Sequence, residues 1–300
     1  MTGRYPELIF CFFLFASLAS FAMAGASRMT AIRTRDESAD PDPADTLSEG
    51  GILFVLLKPS RCEGCGTRLK ALDMVPVLSC LFLRGRCRHC GAPFGFSHFF
   101  AELGMGGAGV FAAGYLAPQW GLSSPWQWYG AIFFLGLSLS FLLQAAVTDR
   151  ETGEVWDFSG LWCAVFAGLF LFVVRGGEYV LLMSAAGWGA FMVALTGRLG
   201  AGDAAPFAAA LSLSASFYPF LPFTPEAMGV YSAFFLVLGI SGIMAALIAR
   251  KRQSELKWAK EGGVSLLKLS QEPFGKVAIP LVPHILIAFV AVSFFAPLYW

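Results

Sequence analysis

Charge is scarce in this chain. Asp, Glu, Lys and Arg together make up 14% of its 300 residues, against about 25% in a soluble domain. An ordinary aqueous globular protein is therefore excluded. Neither sign of charge dominates, because 21 basic residues face 20 acidic ones for a net charge of +1. No global field points to a nucleic-acid partner. There is no internal repeat and no low-complexity tract. The three histidines form no Ser/His or Cys/His constellation of the kind that serves nucleophilic catalysis. What is abundant is apolar: 57% of the residues are hydrophobic, and 30 Phe and 33 Gly suit closely packed membrane helices.

A spanning helix needs about 20 mostly apolar residues. Eight segments qualify, near 8–25, 97–116, 127–147, 158–175, 178–196, 204–223, 227–248 and 277–297. With the N-terminus outside, the connections at 26–96, 148–157, 197–203 and 249–276 share one side. They hold 19 of the 21 Lys and Arg residues (ten, one, one and seven in order), leaving only Arg4 and Arg175 opposite. The positive-inside rule makes the basic side cytoplasmic and the N-terminus periplasmic. A competing reading of residues 1–25 is a cleaved leader ending at Ala22-Met23-Ala24. Against it, Arg28, Arg33 and Arg35 follow the apolar run, and only Arg4 precedes it. The expected fold is an all-α polytopic membrane protein of about eight spans. Its divisions are a first span at 1–26, a cytoplasmic loop at 27–96 and a membrane domain at 97–300.

The loop 27–96 is the only sizeable polar block. Asp36 to Glu49 reads as a flexible acidic linker. Residues 51–57 are apolar but too short to span, and read as a strand or a membrane-surface segment. Then come Cys62-Glu-Gly-Cys65 and Cys87-Arg-His-Cys90, with 21 residues between the pairs and a glycine after each, Gly66 and Gly91. This is the spacing of a four-cysteine zinc site built from two knuckles, in which the trailing glycine permits the turn. Four thiolates leave no open coordination position, so the metal is structural. Two disulfides or a redox dithiol are the alternatives, and a cytoplasmic placement disfavours them. His89 and His98 read as surface or interface residues rather than ligands. Cys11, Cys80 and Cys163 read as small buried hydrophobes. The second basic connection, 249–276, reads as an anchoring loop.

Two aspartates border spans. Asp149 closes one apolar run, and Asp203, in Gly200-Ala201-Gly202-Asp203, opens another. Two spans separate them, so a chain that crosses twice brings both to one face. Two close carboxylates can share a proton, because like charges nearby do not both ionise cheaply. One then activates a water as base while the other protonates the leaving amine. The competing reading of each aspartate alone is a solvated loop residue or a helix cap. An intramembrane aspartyl protease with Asp149 and Asp203 as its catalytic pair follows as the leading expectation. Gly200 and Gly202 would let a substrate strand approach the backbone.

The chain resembles the bacterial type IV prepilin peptidases. The resemblance is carried by Ser60-Arg-Cys62-Glu-Gly-Cys65-Gly66, Val75-Pro76-Val77-Leu78-Ser79, Leu83-Arg84-Gly85-Arg86-Cys87-Arg-His-Cys90-Gly91-Ala92-Pro93 and Ala101-Glu102-Leu103. Asp149 and Asp157 keep the spacing of the family's first aspartate motif, Gly200-Ala201-Gly202-Asp203 matches its Gly-x-Gly-Asp, and Ile279-Pro280-Leu281-Val282-Pro283 resembles its Pro-Phe-x-Pro segment. The likeness covers about residues 52–290. It departs from the pattern at Trp156, where the family has proline, and at Ala205, where it has lysine. The linker 27–58 is also longer and more acidic.

The resemblance implies cleavage of prepilin or type II secretion pseudopilin leaders at the cytoplasmic face of the inner membrane. It also implies N-methylation of the new terminus with S-adenosylmethionine. No glycine-rich nucleotide fold is visible in 27–96, so the methyl donor rests on the resemblance alone, with Glu102 a weak candidate for its chemistry. Asp157 is expected to support the pair. The alternatives are a divergent peptidase without methyltransferase activity and a non-enzymatic pilus or secretion assembly factor. A transporter fits less well, because the spans hold almost no ionisable residues. The exception, His284, reads as a packed, hydrogen-bonded histidine.

Overall fold

The computed structural model describes residues 5–36, 59–62, 64–93, 96–152, 157–194, 201–217, 224–261 and 280–295. Residues 37–58, which include the acidic linker and the apolar segment 51–57, lie outside them. Among the described residues there is no β-strand, only two isolated bridges. Nine α-helices follow in order: α1 Tyr5–Asp36, α2 Leu78–Phe82, α3 Phe96–Phe111, α4 Pro125–Thr152, α5 Asp157–Arg175, α6 Gly177–Ala194, α7 Ala204–Ser216, α8 Pro225–Glu261 and α9 Val282–Phe295. Helix α3 runs on through a wider turn at Ala112–Leu116 and a tighter one at Ala117–Gln119.

Among the described residues, each of the eight apolar segments thus contains a helix, with α2 a short addition in the polar block. Five of the described helical stretches are long and apolar enough to cross a membrane: Tyr5–Thr30, Phe96–Gln119, Pro125–Thr152, Phe158–Arg175 and Met228–Ala245. Two others, Ala204–Ser214 and Val282–Ser293, are apolar but shorter. Helix α7, with 13 residues, reaches only about 20 Å at 1.5 Å per residue. In contrast, α8 outlasts a bilayer. The expected loop from 249 is helical as far as Glu261, because Arg-Lys-Arg-Gln-Ser-Glu-Leu-Lys-Trp-Ala-Lys-Glu contains neither Gly nor Pro and is rich in strong helix formers.

Helix α1 is an integral part of the bundle and packs on both α3 and α4. Its Cys11, Phe15, Ala16, Ala19 and Ala22 are fully buried. Small residues allow this approach. A Cβ on Gly109 would lie 2.7 Å from the Cys11 carbonyl oxygen and 2.7 Å from the Phe15 ring, and one on Gly136 would meet Leu18 and Phe15. The Ser140 hydroxyl donates to the Leu18 carbonyl, and the Ser138 hydroxyl donates to that of Cys163. Gly109→Leu should therefore force α1 off α3, at a cost of about 1–3 kcal/mol. Thermal unfolding in detergent should show the loss. Gly107→Leu should be tolerated, because nothing lies within 4 Å of a Cβ there.

Contacts at the helix ends set the relative directions of the helices. Arg175 Nε, at the end of α5, donates to the Ser216 carbonyl at the end of α7. A Cβ on Gly160, near the start of α5, would lie 3.4 Å from both the Gly202 carbonyl oxygen and Pro206 Cδ. So α5 and α7 run parallel, and α6 returns between them. The Thr30 hydroxyl on α1 donates to Glu151 on α4, and Arg28 donates to Ser60 Oγ in the polar block. The Val282 N–H opening α9 donates to Asp149. One end of the bundle thus gathers the polar block, the close of α4, the starts of α5 and α7, and the start of α9.

Candidate functional site: a thiol cluster and two aspartates at one end of the bundle

Two turns of the same shape form the cysteine module. In the first, the Cys62 N–H donates to the Thr67 carbonyl and the Gly66 N–H to the Cys62 carbonyl; in the second, Cys87 donates to Ala92 and Gly91 to Cys87. Gly66 and Gly91 take φ of 68° and 70°, the left-handed region that glycine enters without a Cβ penalty. The turns face each other closely enough that a Cβ on Gly64 would sit 2.9 Å from Ala92 Cβ.

All four sulfurs of Cys62, Cys65, Cys87 and Cys90 lie within 4.8 Å of one another, and Cys62 Sγ is 3.8 Å from Cys90 Sγ. Tetrahedral Zn–S bonds of about 2.3 Å put ligand sulfurs about 3.8 Å apart. The cluster therefore fits a metal ion held by four soft thiolates, and zinc is the metal that this donor set suits. No disulfide forms, since all seven cysteines are free thiols. Hydrogen bonding from Thr67 pulls the Cys65 thiol down to about 6, while at Cys90 a lowering bond from the Ala92 backbone is outweighed by desolvation and the other three sulfurs, which together push it up to about 11. Thiols that share protons in this way exchange them for a cation. Burial and the Glu102 carboxylate push the Cys80 thiol up, so this half-buried fifth cysteine stays protonated. His89 is exposed, His98 is half-buried, and neither belongs to the cluster.

Polar contacts fasten the module to the helices. The buried Asp73 carboxylate takes Arg88 Nη2 at 2.8 Å and Nε at 3.1 Å, tying the turn at Ala71–Met74 to the second knuckle. Glu102, buried on α3, accepts the Val77 N–H at 2.7 Å. Val77 itself sits at φ 63°, ψ −51° in a tight turn closed by the Leu78 N–H on the Pro76 carbonyl at 2.6 Å. A branched residue there is strained, and Glu102 helps to hold it. This is the role that the structure gives Glu102.

Asp149 is buried near the end of α4, and its Oδ2 accepts the Val282 N–H at 2.9 Å. It therefore caps the first turn of α9, where backbone N–H groups lack helical partners. Asp203 closes a single tight turn, Ala201–Asp203, that leads into α7, and is half-buried. Gly202 is half-buried and lies against Gly160. Asp157 begins α5. Gly200 and Trp156 lie outside the described residues, as does the side chain of Asp157. Asp149 and Asp203 sit at the same end of the bundle, together with the module.

Sequence reasoning missed two participants. The first is the partner of Asp149: the Pro280–Pro283 segment stood out only as a family likeness, yet its backbone closes on the carboxylate. The second is His284. It is buried, and its Nδ1 has no hydrogen-bond partner among the described residues, against the expectation of a hydrogen-bonded histidine. It lies in the same first turn of α9 as Val282 and within electrostatic reach of Asp149. The signal available was a lone histidine beside Pro283 in an apolar span, and that pattern alone does not separate a packing residue from a site residue.

Residues 14–116 match the family described as Bacterial Peptidase A24 N-terminal domain. That range holds all four clustered cysteines and Glu102, and it ends before both aspartates. The chain is similar to the "Prepilin leader peptidase/N-methyltransferase" of Burkholderia pseudomallei (strain 1026b), with 41% identity over 98 residues, 33% of this chain and 28% of that protein. The protein of the same name from Dichelobacter nodosus is 43% identical over 124 residues, 39% of each chain. That from Stutzerimonas stutzeri is 28% identical over 176 residues, 48% of this chain and 58% of its own length. The chain thus spans from 28% to 58% of the length of these relatives. No solved structure matches. The resemblance to the type IV prepilin peptidases that the motifs carry is borne out by these likenesses.

Proposed function

We propose that this protein is an aspartic prepilin leader peptidase of the bacterial inner membrane. It cleaves the leader of type IV prepilins or type II secretion pseudopilins and N-methylates the new terminus. The observation that carries the reading is the gathering of Asp149, the Gly-x-Gly-Asp turn with Asp203 and the four-cysteine module at one end of an apolar helical bundle. Three relatives bearing the same enzyme name support it.

In this reading the substrate's apolar stem lies among the helices in the bilayer. Its basic leader stays at the end that carries the module. Asp149 and Asp203 share one proton. The ionised member takes a proton from water as it attacks the scissile carbonyl, and the protonated member gives its own to the leaving amine. The N–H of Val282 fixes the carboxylate of Asp149, and Asp157 and the two motif glycines shape the approach. Cys62, Cys65, Cys87 and Cys90 would hold a structural zinc ion that joins the two knuckles. S-adenosylmethionine would supply the methyl group when bound, a reading supported by the methyltransferase in the relatives' name.

A strain lacking its own prepilin peptidase, given this gene and a prepilin, should yield mature pilin with a methylated first residue. Mass spectrometry of the pilin reads both steps. Mature but unmethylated pilin would leave a peptidase alone. Unprocessed pilin would sink the enzyme reading, and Ala205 in place of the usual lysine is the feature that favours an assembly factor in that event.

Orientation has its own test. The distribution of 19 against 2 basic residues supports a cytoplasmic module end. Reporters fused after residues 60, 152 and 260 should be cytoplasmic, and those after 122 and 225 periplasmic. Fusions at 152 and 260 found on opposite sides would break the shared face.

A further inference from the structure

We infer that the cysteine module has a lipid-inserted edge, formed by the exposed face of helix α2, which rests in the acyl–headgroup boundary of the same membrane leaflet. Three observations carry this. The first is an inverted pattern. Leu78, Leu81 and Phe82 lie at i, i+3 and i+4, one helix face, and are 36%, 59% and 81% exposed, while Ser79 and Cys80 on the other side are half-buried. A module surrounded by water would turn these three side chains inward.

The second observation is depth. The Val77 N–H is bonded to Glu102, six positions into the spanning stretch Phe96–Gln119. At 1.5 Å per residue that is about 9 Å along the helix from Phe96. The 24-residue stretch is about 36 Å long against a hydrocarbon core of about 30 Å, so a segment pinned at that level falls near the acyl–headgroup boundary if the stretch spans centrally. It is also continuous with the exposed Phe96 and Phe100 of the spanning helix. Gly85, just past α2, packs against the Phe96 ring.

The third observation is charge. The acid at the edge, Asp73, is neutralised by Arg88. Lys70 and Arg84 flank the segment on either side, and Arg86 follows; all three are exposed. An apolar face rimmed by cations suits an anionic leaflet, with the side chains in the acyl boundary and the basic groups at the phosphates.

The test uses the full-length protein in nanodiscs, with the photoreactive residue p-benzoylphenylalanine at position 82. Phe82 is exposed, so the replacement leaves the fold intact, and retained zinc checks this. Irradiation should give phospholipid adducts, detected by mass spectrometry. Their yield should rise when phosphatidylglycerol replaces part of the phosphatidylcholine, and should drop severalfold with Lys70→Gln/Arg84→Gln. The same probe at Arg68, exposed on a knuckle turn, should give few lipid adducts. Crosslinks from position 82 to a second copy of the chain, or to residues 51–57, would overturn the inference, and so would an adduct yield no higher than that at Arg68. The readout needs no enzyme activity, so it stands or falls separately from the peptidase reading.

Discussion

If the proposed peptidase reading holds, replacing Asp149 or Asp203 by asparagine should abolish leader cleavage and leave the protein in the membrane at normal levels. This is the largest effect expected on activity. An acid–base step contributes about 10²–10⁴-fold, and residues that act as a unit are not additive. The double variant should therefore be about as inactive as either single one. Asparagine is the informative replacement because Asp149 has a structural duty of its own: its carboxylate accepts the Val282 N–H and caps α9. The amide oxygen of asparagine can keep that bond, so the fold survives while the proton chemistry is lost. Asp149→Ala would confuse the two by uncapping the helix. Asp157→Asn should retain partial activity, as expected of a residue that supports the pair. Serine- and cysteine-directed protease reagents should have no effect. A double Asp→Asn variant that still matures prepilin in a strain with no other such peptidase would end the proposal.

The positions of the eight apolar helices were legible in the sequence because each is marked by an apolar run, whereas the short α2 inside the polar block was not. Boundaries were less legible. Helix α1 runs on to Asp36 and α8 to Glu261, since hydropathy marks where lipid ends and not where backbone hydrogen bonding ends. The thiol cluster was legible because Cys-x-x-Cys twice, each with a trailing glycine, leaves few other geometries. Its anchorage was not: no local pattern announces that Glu102 reaches back to the Val77 N–H, or that Arg88 pairs with Asp73. The shared end of the two aspartates followed from counting crossings, an argument about topology. What each carboxylate touches depends on side chains distant in sequence. Val282 lies 133 positions from Asp149, and no periodicity carries information over that range. His284 shows the same limit, because burial without a partner is a property of the packed bundle and not of its sequence neighbours.

The largest expected effect on stability comes from the metal. The purified protein should contain about one zinc, as a four-thiolate site holds one ion. A structural zinc site binds with an apparent free energy on the order of 10 kcal/mol at neutral pH, and that energy goes into folding. Little else holds the two knuckles to each other: among the described residues their backbone bonds are local turns and two isolated bridges, while the Asp73–Arg88 pair and the Glu102 and Arg28 contacts tie the module to its surroundings. Cys62→Ser or Cys90→Ser should lose the zinc and open the region around 60–95 to proteolysis, while the helices stay folded. Loading the metal-free protein at neutral pH should release protons, because the Cys90 sulfur, pushed up to about 11, must give up its proton to become a ligand. Cys65, pulled down to about 6, is already largely a thiolate there. Acidification below that range should protonate the ligands and release the metal. Cys80→Ser is the control: Cys80 lies outside the cluster, and its loss should leave zinc content unchanged. A Cys62→Ser/Cys87→Ser double variant that keeps its full zinc would refute the assignment, since removing one ligand from each knuckle leaves only two of the four sulfurs.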